Sequence, residues 1–296
     1  MSLVVFGHGY TAEAFIRRVR GRFDRVVATA RSREKTVRLA EAGLVGRLFP
    51  DPDGASALRA DIAAAEAVLV SVPPGPDGDP VLARLSDAIA AAPRLAWIGY
   101  LSTVGVYGDH GGGWVDETTE PRPVSRRSHE RLAAEGGWLD LGRRSGKPVA
   151  IFRLAGIYGP GRSPLQKVLD GTAQRIVKPG QVFNRIHVED IAAVLEASLA
   201  RPRAGAIYNV ADDEPAPPQD VVTYAAGLAG LPPPPEVAFS EAEMTPMARS
   251  FYGENKRVAS RLIREELGVT LRYPTYREGL AALVAGRDAA ERPDRS

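Results

Sequence analysis

Six short apolar runs set the strongest constraint on the fold. LVVF (3–6), RVVAT (25–29), AVLVSV (67–72), LAWIGYL (95–101), PVAIFRL (148–154) and AIYNV (206–210) alternate with segments of helical period. The runs are mostly β-branched or aromatic, and Gly, Pro or polar residues bound many of them, as is usual for buried strands. Between them, Ala12, Phe15, Ile16 and Val19 fall on one helical face. So do Leu82, Leu85, Ala88, Ile89 and Ala92, and later Ile191, Val194, Leu195, Ser198 and Leu199. Nearly continuous apolar strands separated by such helices predict an α/β protein with a doubly wound parallel sheet covered on both faces.

After residue 154 the rhythm loosens. Pro and Gly cluster at 159–164, 178–180, 215–218 and 232–235, and the last of these, PPPP, fits neither a helix nor a central strand. NKRVASRLIREEL then presents Val258, Leu262 and Ile263, and TYREGLAALVAG opens with Thr275 and Glu278 at capping-box spacing before Leu280, Leu283 and Val284. The expected organisation is a sheet domain over 1–160 that also takes in 184–210. A smaller C-terminal substrate lobe is expected over 161–183 and 211–285, and a flexible tail over 286–296.

Composition excludes several classes. The 296 residues carry 38 Lys and Arg against 36 Asp and Glu, a net charge of +2, with no long basic run, so nucleic acid is not an expected partner. No cysteine is present, which removes disulfides, thiol catalysis and Cys-based zinc sites. His8, His110, His129 and His187 are scattered, with none at metal-ligand spacing, and no metal is expected. The apolar run at the N-terminus is too short for a signal peptide or a membrane span, so the expected location is cytoplasmic, away from membranes.

The first strand runs directly into GHGYTA (7–12) and a helix. Gly7 permits the tight turn, Gly9 lets a pyrophosphate approach the backbone, and Ala12 is small enough for the helix to pack on the strand. A bare strand–helix turn is the competing reading, but the position of the pattern at the start of an α/β chain favours a dinucleotide and a Rossmann-type fold. The expected cofactor contacts are Gly7, His8, Gly9, Tyr10 and Thr11, with His8 a solvent-facing loop residue rather than a catalytic one. The second strand ends VVATARSRE, with Arg31, Ser32 and Arg33 and no acid before Glu34. Two guanidinium groups and a hydroxyl suit a 2′-phosphate better than a bare ribose, so NADP(H) is expected in preference to NAD(H). In SVPPG (71–75), Val72 and Pro73 would pass near the adenine and pyrophosphate; a rigid surface turn is an equally good reading.

Residues 98–108 read IGYLSTVGVYG, followed later by FRLAGIYGPGR (152–162), NRIHVEDIA (184–192), YNVADDEP (208–215) and NKRVASRLIREELGV (255–269). From the first strand to about residue 285, the chain resembles the extended short-chain dehydrogenase/reductase family, which includes nucleotide-sugar epimerases and dehydratases. It looks closest to an atypical branch that keeps the fold and often lacks the usual catalytic residues. The resemblance implies that Ser102 or Thr103 hydrogen-bonds a substrate oxygen. It also implies a Tyr-x-x-x-Lys pair, but counting back from LAAE (132–135) places Arg127 at the Tyr position and Arg131 at the Lys position. The helical phase survives, since i and i+4 share a face, but a guanidinium cannot act as a general base at neutral pH. Arg131 would donate to the nicotinamide ribose. Arg127 would set a fixed positive charge beside the nicotinamide or simply lie on the surface.

Tyr107 and Tyr158 are the candidates to replace the missing phenol, although in the family these positions usually shape the cleft. Asp109 and His110 lie in DHGGGWVDE, a glycine-rich loop able to fold over a substrate. His187 is expected to hold backbone and Asp190 to support a helix start. Arg162 and Arg185 fall where family members often grip an anionic substrate. The readings left open are an oxidoreductase or epimerase/dehydratase acting on a small molecule, an anionic one among the options, and a non-catalytic NADP(H)-binding redox sensor or scaffold. Monomer and homodimer both remain open. The family often pairs two helices in a four-helix bundle, and Gly136 and Gly137 are expected to interrupt the relevant helix.

Overall fold

The computed structural model describes residues 1–51 and 56–291. Seven parallel strands form its sheet: β1 (Ser2–Phe6), β2 (Arg25–Ala30), β3 (Val45–Leu48), β4 (Ala67–Val70), β5 (Trp97–Thr103), β7 (Val149–Leu154) and β11 (Ala206–Val210). Their order is β11-β7-β5-β4-β1-β2-β3, so the chain changes direction across the sheet between β1 and β4. Open sheets of this kind bind ligands at that point, in a crevice beyond the carboxyl ends of the strands. All six expected runs are strands of this sheet. The seventh, β3, was not foreseen: VGRL is short and half-buried at the sheet edge, without the apolar continuity that marks a central strand.

Side-chain parity sends the strands into two apolar layers. Leu3 and Val5, Trp97 and Leu101, and Ala150, Phe152 and Leu154 face one layer, completed by α1 (Tyr10–Val19), α2 (Arg33–Glu41), α7 (Val188–Ala200) and α10 (Leu262–Glu265). Val4 and Phe6, Ile98 and Tyr100, and Val149 and Ile151 face the other, against α3 (Ser56–Ala63), α4 (Pro80–Ala91) and α5 (Arg126–Ser145). A third cluster builds the C-terminal lobe from α6 (Pro164–Leu169), α8 (Pro218–Leu228) and α11 (Tyr276–Glu291), around Leu165, Val221, Ala225 and Leu280. The short α9 (Pro246–Phe251) lies outside that cluster.

Three small parallel ribbons complete the structure. They pair β6 (Trp114–Val115) with β13 (Arg257–Val258), β8 (Gly156–Tyr158) with β10 (Arg185–His187), and β9 (Arg175–Val177) with β12 (Glu236–Ala238).

The expected interruption at Gly136 and Gly137 is corrected. Helix α5 runs unbroken through Gly136 and Gly137, capped by the Ser125 hydroxyl, which accepts from the Ser128 N–H. A Cβ on Gly137 would stand 2.8 Å from Leu82 Cδ1, so this glycine lets α4 and α5 approach closely instead of ending a helix. The tail expected from 286 is helical as far as Glu291, and its last residues, 292–296, lie outside the described residues. Among the described residues no helix is long and apolar enough to cross a membrane, and no group of three or more His, Asp or Glu is placed to hold a metal ion.

Candidate functional site

The glycine loop sits at the carboxyl end of β1, bound to its neighbours on both sides. The Gly7 N–H donates to Thr29 Oγ1 (2.8 Å) and the His8 N–H to the Thr29 carbonyl (3.0 Å), which ties the loop to β2. Gly7 has φ +87°, and a Cβ there would lie 2.8 Å from Val72 Cγ1. The 71–75 loop therefore packs directly against the turn. A Cβ on Gly9 would meet nothing within 4 Å, which leaves open space on the face where a diphosphate approaches. Gly9 is also the N-cap of α1 and supplies no side-chain acceptor, so the first N–H groups of α1 are available to an anion. These features fit a dinucleotide pyrophosphate.

His8 is half-buried rather than solvent-facing, and burial lowers its pKa. Thr11 is buried in the first turn of α1, and Pro73 is exposed. At the end of β2, Arg31, Ser32 and Arg33 are exposed, and Ser32 caps α2 by accepting from the Lys35 N–H. Lys35 escaped the sequence reading. Its ammonium donates to the His8 carbonyl at 2.5 Å, so a cation bridges the start of α2 and the glycine loop. Glu34, the first acid after β2, pairs with Arg38 at 3.2 Å, one turn further along α2.

At the end of β5 the two hydroxyls separate in role. Ser102 is buried and donates to the Glu135 carboxylate. This corrects its expected place at a substrate: strand parity turns it into the layer under α5. Thr103 is only partly buried, and its Oγ1 accepts from the Gly105 N–H (3.1 Å), which leaves its own proton free to donate. Arg131 Nη1 donates to the Leu101 carbonyl (2.8 Å) and to Tyr100 Oη (3.1 Å), which fixes the guanidinium at the end of β5. One turn earlier, Arg127 is exposed and makes no ion pair among the described residues.

A buried network that the sequence reading missed lies one turn past Arg131. Glu135 accepts from Ser102 and from Arg153, with Arg153 Nη2 at 2.8 Å and both ionic side chains almost wholly buried, 2% and 4% exposed. Ser102 and Arg153 are direct neighbours in the β5–β7 register and so present side chains to the same carboxylate. Two signals were available: Glu135 continues the i, i+4 face of Arg127 and Arg131, and Arg153 interrupts the apolar run IFRL.

The two candidate tyrosines are corrected as well. Tyr107 has no exposed surface; its hydroxyl donates to Asn209 Oδ1 (2.8 Å), and the Arg153 guanidinium lies 4.8 Å above its ring. Tyr158 is 4% exposed in the lobe core, with His187 edge-on at 5.2 Å. Burial raises both phenols. Neither presents a titrating hydroxyl to the crevice.

The loop at 109–113 is stitched down instead of lying free over a substrate. Asp109 accepts from the Asn255 N–H (2.8 Å), and the N–H groups of His110 and Gly112 both donate to the Asn255 carbonyl. Lys256, buried, donates to the Gly108 carbonyl (2.7 Å) and pairs with Glu254 (2.6 Å). His187 holds backbone as expected, its Nδ1 accepting from the Glu189 N–H at the start of α7. Asp190 lies in the first turn of α7, where an acid supports the helix start as expected. It also accepts from the N–H groups of Arg272 and Tyr273 and so anchors the chain ahead of α11.

Arg162 lies over Tyr10, 5.9 Å from the ring centroid, near the glycine loop. Arg185 is half-buried in the lobe, its Nη1 donating to the carbonyls of Phe183 (2.9 Å) and Ala216 (3.2 Å). The nearby Asp212, just past β11, is 2% exposed, and its Oδ2 has no partner among the described residues. Burial pushes its carboxyl up to about 8, with the Arg185 charge pulling the other way. The fold thus holds a proton that the unfolded chain releases near a pKa of about 3.9. Stability from this group is complete below that value and is lost as pH rises through about 8. The variant Asp212→Asn, neutral throughout, is expected to gain on wild type in thermal midpoint, with an offset that grows from about pH 4 to pH 8. A constant offset across that range would show that Asp212 is ionised in the fold.

With this geometry in view, the comparisons identify the family. Residues 82–211 match the model of the NAD dependent epimerase/dehydratase family. Protein YeeZ of Escherichia coli (strain K12) is 32% identical over 217 residues, which cover 71% of this chain and 72% of YeeZ. A functionally unknown conserved protein from Silicibacter pomeroyi DSS has a solved structure with 51% identity and a TM-score of 0.88, covering 97% of this chain and 99% of that one. The dTDP-glucose 4,6-dehydratase of Bacillus anthracis str. Ames, solved in complex with NAD, shares the fold at 18% identity and a TM-score of 0.78, over 98% of this chain and 97% of that one. The chain belongs to the NAD-dependent epimerase/dehydratase family.

Proposed function

We propose that the protein binds NADP(H) and is an oxidoreductase of the epimerase/dehydratase type acting on a small, anionic molecule. One observation carries the cofactor preference: Arg31, Arg33 and Lys35 follow the end of β2, Lys35 donates to the His8 carbonyl of the glycine loop, and Glu34, the acid within that run, pairs with Arg38. A 2′-phosphate suits this run of cations better than a bare ribose does. Gly7, His8, Gly9, Tyr10, Thr11, Val72 and Pro73 form the rest of the cofactor surface, with Ser32 beside the phosphate.

When bound, the nicotinamide supplies or accepts hydride. Thr103 donates its free hydroxyl proton to a substrate oxygen, and Arg131, fixed on the Leu101 carbonyl, donates its remaining N–H groups to the ribose. Arg127, exposed one turn before Arg131, offers a fixed positive charge to a carboxylate or phosphate on the substrate.

The burial of Tyr107 and Tyr158 favours a second reading, a redox sensor or scaffold that binds NADP(H) without turnover. The two readings separate on NADPH consumption against a panel of carbonyl compounds bearing a carboxylate or phosphate. The enzyme reading expects turnover that Thr103→Val lowers by about a hundredfold, the loss typical of one oriented donor. Tight NADPH binding with no turnover across the panel supports the sensor.

A further inference from the structure

The sequence pattern assigns Arg162 to a substrate; its surroundings assign it elsewhere. Gly159 and Arg162 close a tight turn by exchanging two backbone hydrogen bonds, 2.9 and 3.1 Å, so the turn is a small rigid unit. That unit rests on the dinucleotide loop. The Tyr10 hydroxyl donates to the Pro160 carbonyl (3.0 Å), and a Cβ on Gly159 would stand 2.5 Å from that same hydroxyl. Tyr10 is the first residue of α1 and directly follows Gly9, whose face is open. Arg162 is held over the Tyr10 ring, is exposed, and makes no ion pair among the described residues. Glu13 is the acid in the first turn of α1, yet the Arg162 guanidinium, stacked on the residue that opens that helix, forms no ion pair among the described residues and so stays available to an anionic ligand there.

We propose that Arg162 is a cofactor-binding residue whose guanidinium pairs with an anionic oxygen of the dinucleotide pyrophosphate. The Gly159–Arg162 turn then clamps the pyrophosphate from the side opposite the α1 N–H groups. Tyr10 sets the height of the clamp, since its ring supports the guanidinium and its hydroxyl fixes the turn. The inference rests on dinucleotide binding as proposed above, but not on the preference for NADP(H), because NADPH and NADH share the pyrophosphate.

The test measures dissociation constants of NADPH, NADH and adenosine 2′-monophosphate for wild type, Arg162→Ala and Arg162→Lys. A lost charge-assisted bond corresponds to about a ten- to hundredfold weakening. Arg162→Ala is expected to weaken NADPH and NADH by the same factor in that range. It should leave adenosine 2′-monophosphate, which has no pyrophosphate, within about twofold of wild type, and Arg162→Lys should recover part of the loss. Unchanged dinucleotide affinity in Arg162→Ala overturns the inference, as does an equal loss for adenosine 2′-monophosphate. The cofactor preference fails separately, through equal wild-type affinities for NADPH and NADH. A wild type that binds neither dinucleotide overturns both.

Discussion

Glu135→Ala is expected to destabilise the protein by about 3 to 5 kcal/mol, the range for breaking a buried ion pair from one side. The cost follows from what remains. Burial works to lower the Arg153 pKa, yet its bonds to Glu135 raise it overall, so the carboxylate is what keeps the cation tolerable in the layer beneath α5. Arg153 Nη1 already lacks a partner among the described residues, and deleting Glu135 would strand the other nitrogens too. Ser102 would lose its acceptor at the same time. In thermal unfolding the drop in midpoint should be on the order of 10 °C. Ser102→Ala removes a single bond to a charged group and should cost only about 1.5 to 3 kcal/mol. Replacing both ions, as Glu135→Leu with Arg153→Met, should recover much of the stability lost in Glu135→Ala, because an apolar pair needs no compensation. A single variant as stable as wild type would mean that water reaches Arg153.

The second large effect is on cofactor choice. Arg31→Asp combined with Arg33→Asp removes two cations from the end of β2 and puts carboxylates where ribose hydroxyls would donate. Each charge-assisted contact to a phosphate is worth about 1.5 to 3 kcal/mol, so NADPH affinity should fall by at least about a hundredfold. NADH affinity should hold or rise. Lys35 stays in the variant and keeps some attraction for a 2′-phosphate, so Lys35→Ala added to the pair should deepen the loss. If the double variant weakens both dinucleotides equally, the arginines act as general electrostatic attraction and not as a phosphate site.

The parts of the architecture that follow from local pattern were legible in the sequence. Six of the seven sheet strands announce themselves as apolar runs, and GHGYTA marks the loop where β1 meets α1. The misses have physical causes. VGRL carries no strand signal because an edge strand needs little apolar surface. Gly136 and Gly137 read as helix breakers, but tertiary packing overrides a propensity cost of about 1 kcal/mol each, and at Gly137 the end of the Leu82 side chain from α4 fills the space a Cβ would take.

At the site, residue type was legible and orientation was not. Ser102 and Thr103 are adjacent and chemically alike, yet strand parity sends one to Glu135 and leaves the other partly open. Tyr107 and Tyr158 stand in motifs that suggest a cleft, but their hydroxyls are spent on Asn209 and on the Thr275 carbonyl at 3.4 Å. Lys35 went unnoticed because nothing in RSREK says that its ammonium turns back to the glycine loop.

The central claim is that this crevice takes a 2′-phosphorylated dinucleotide. The most direct test is a thermal-shift titration of the wild-type protein with NADPH and NADH side by side. A ligand at about a hundred times its dissociation constant adds roughly 2.7 kcal/mol, which raises the midpoint by about 5 to 10 °C for a chain of this size. The account predicts that shift for NADPH and little for NADH at the same concentration. Equal shifts, or none with either, would contradict it.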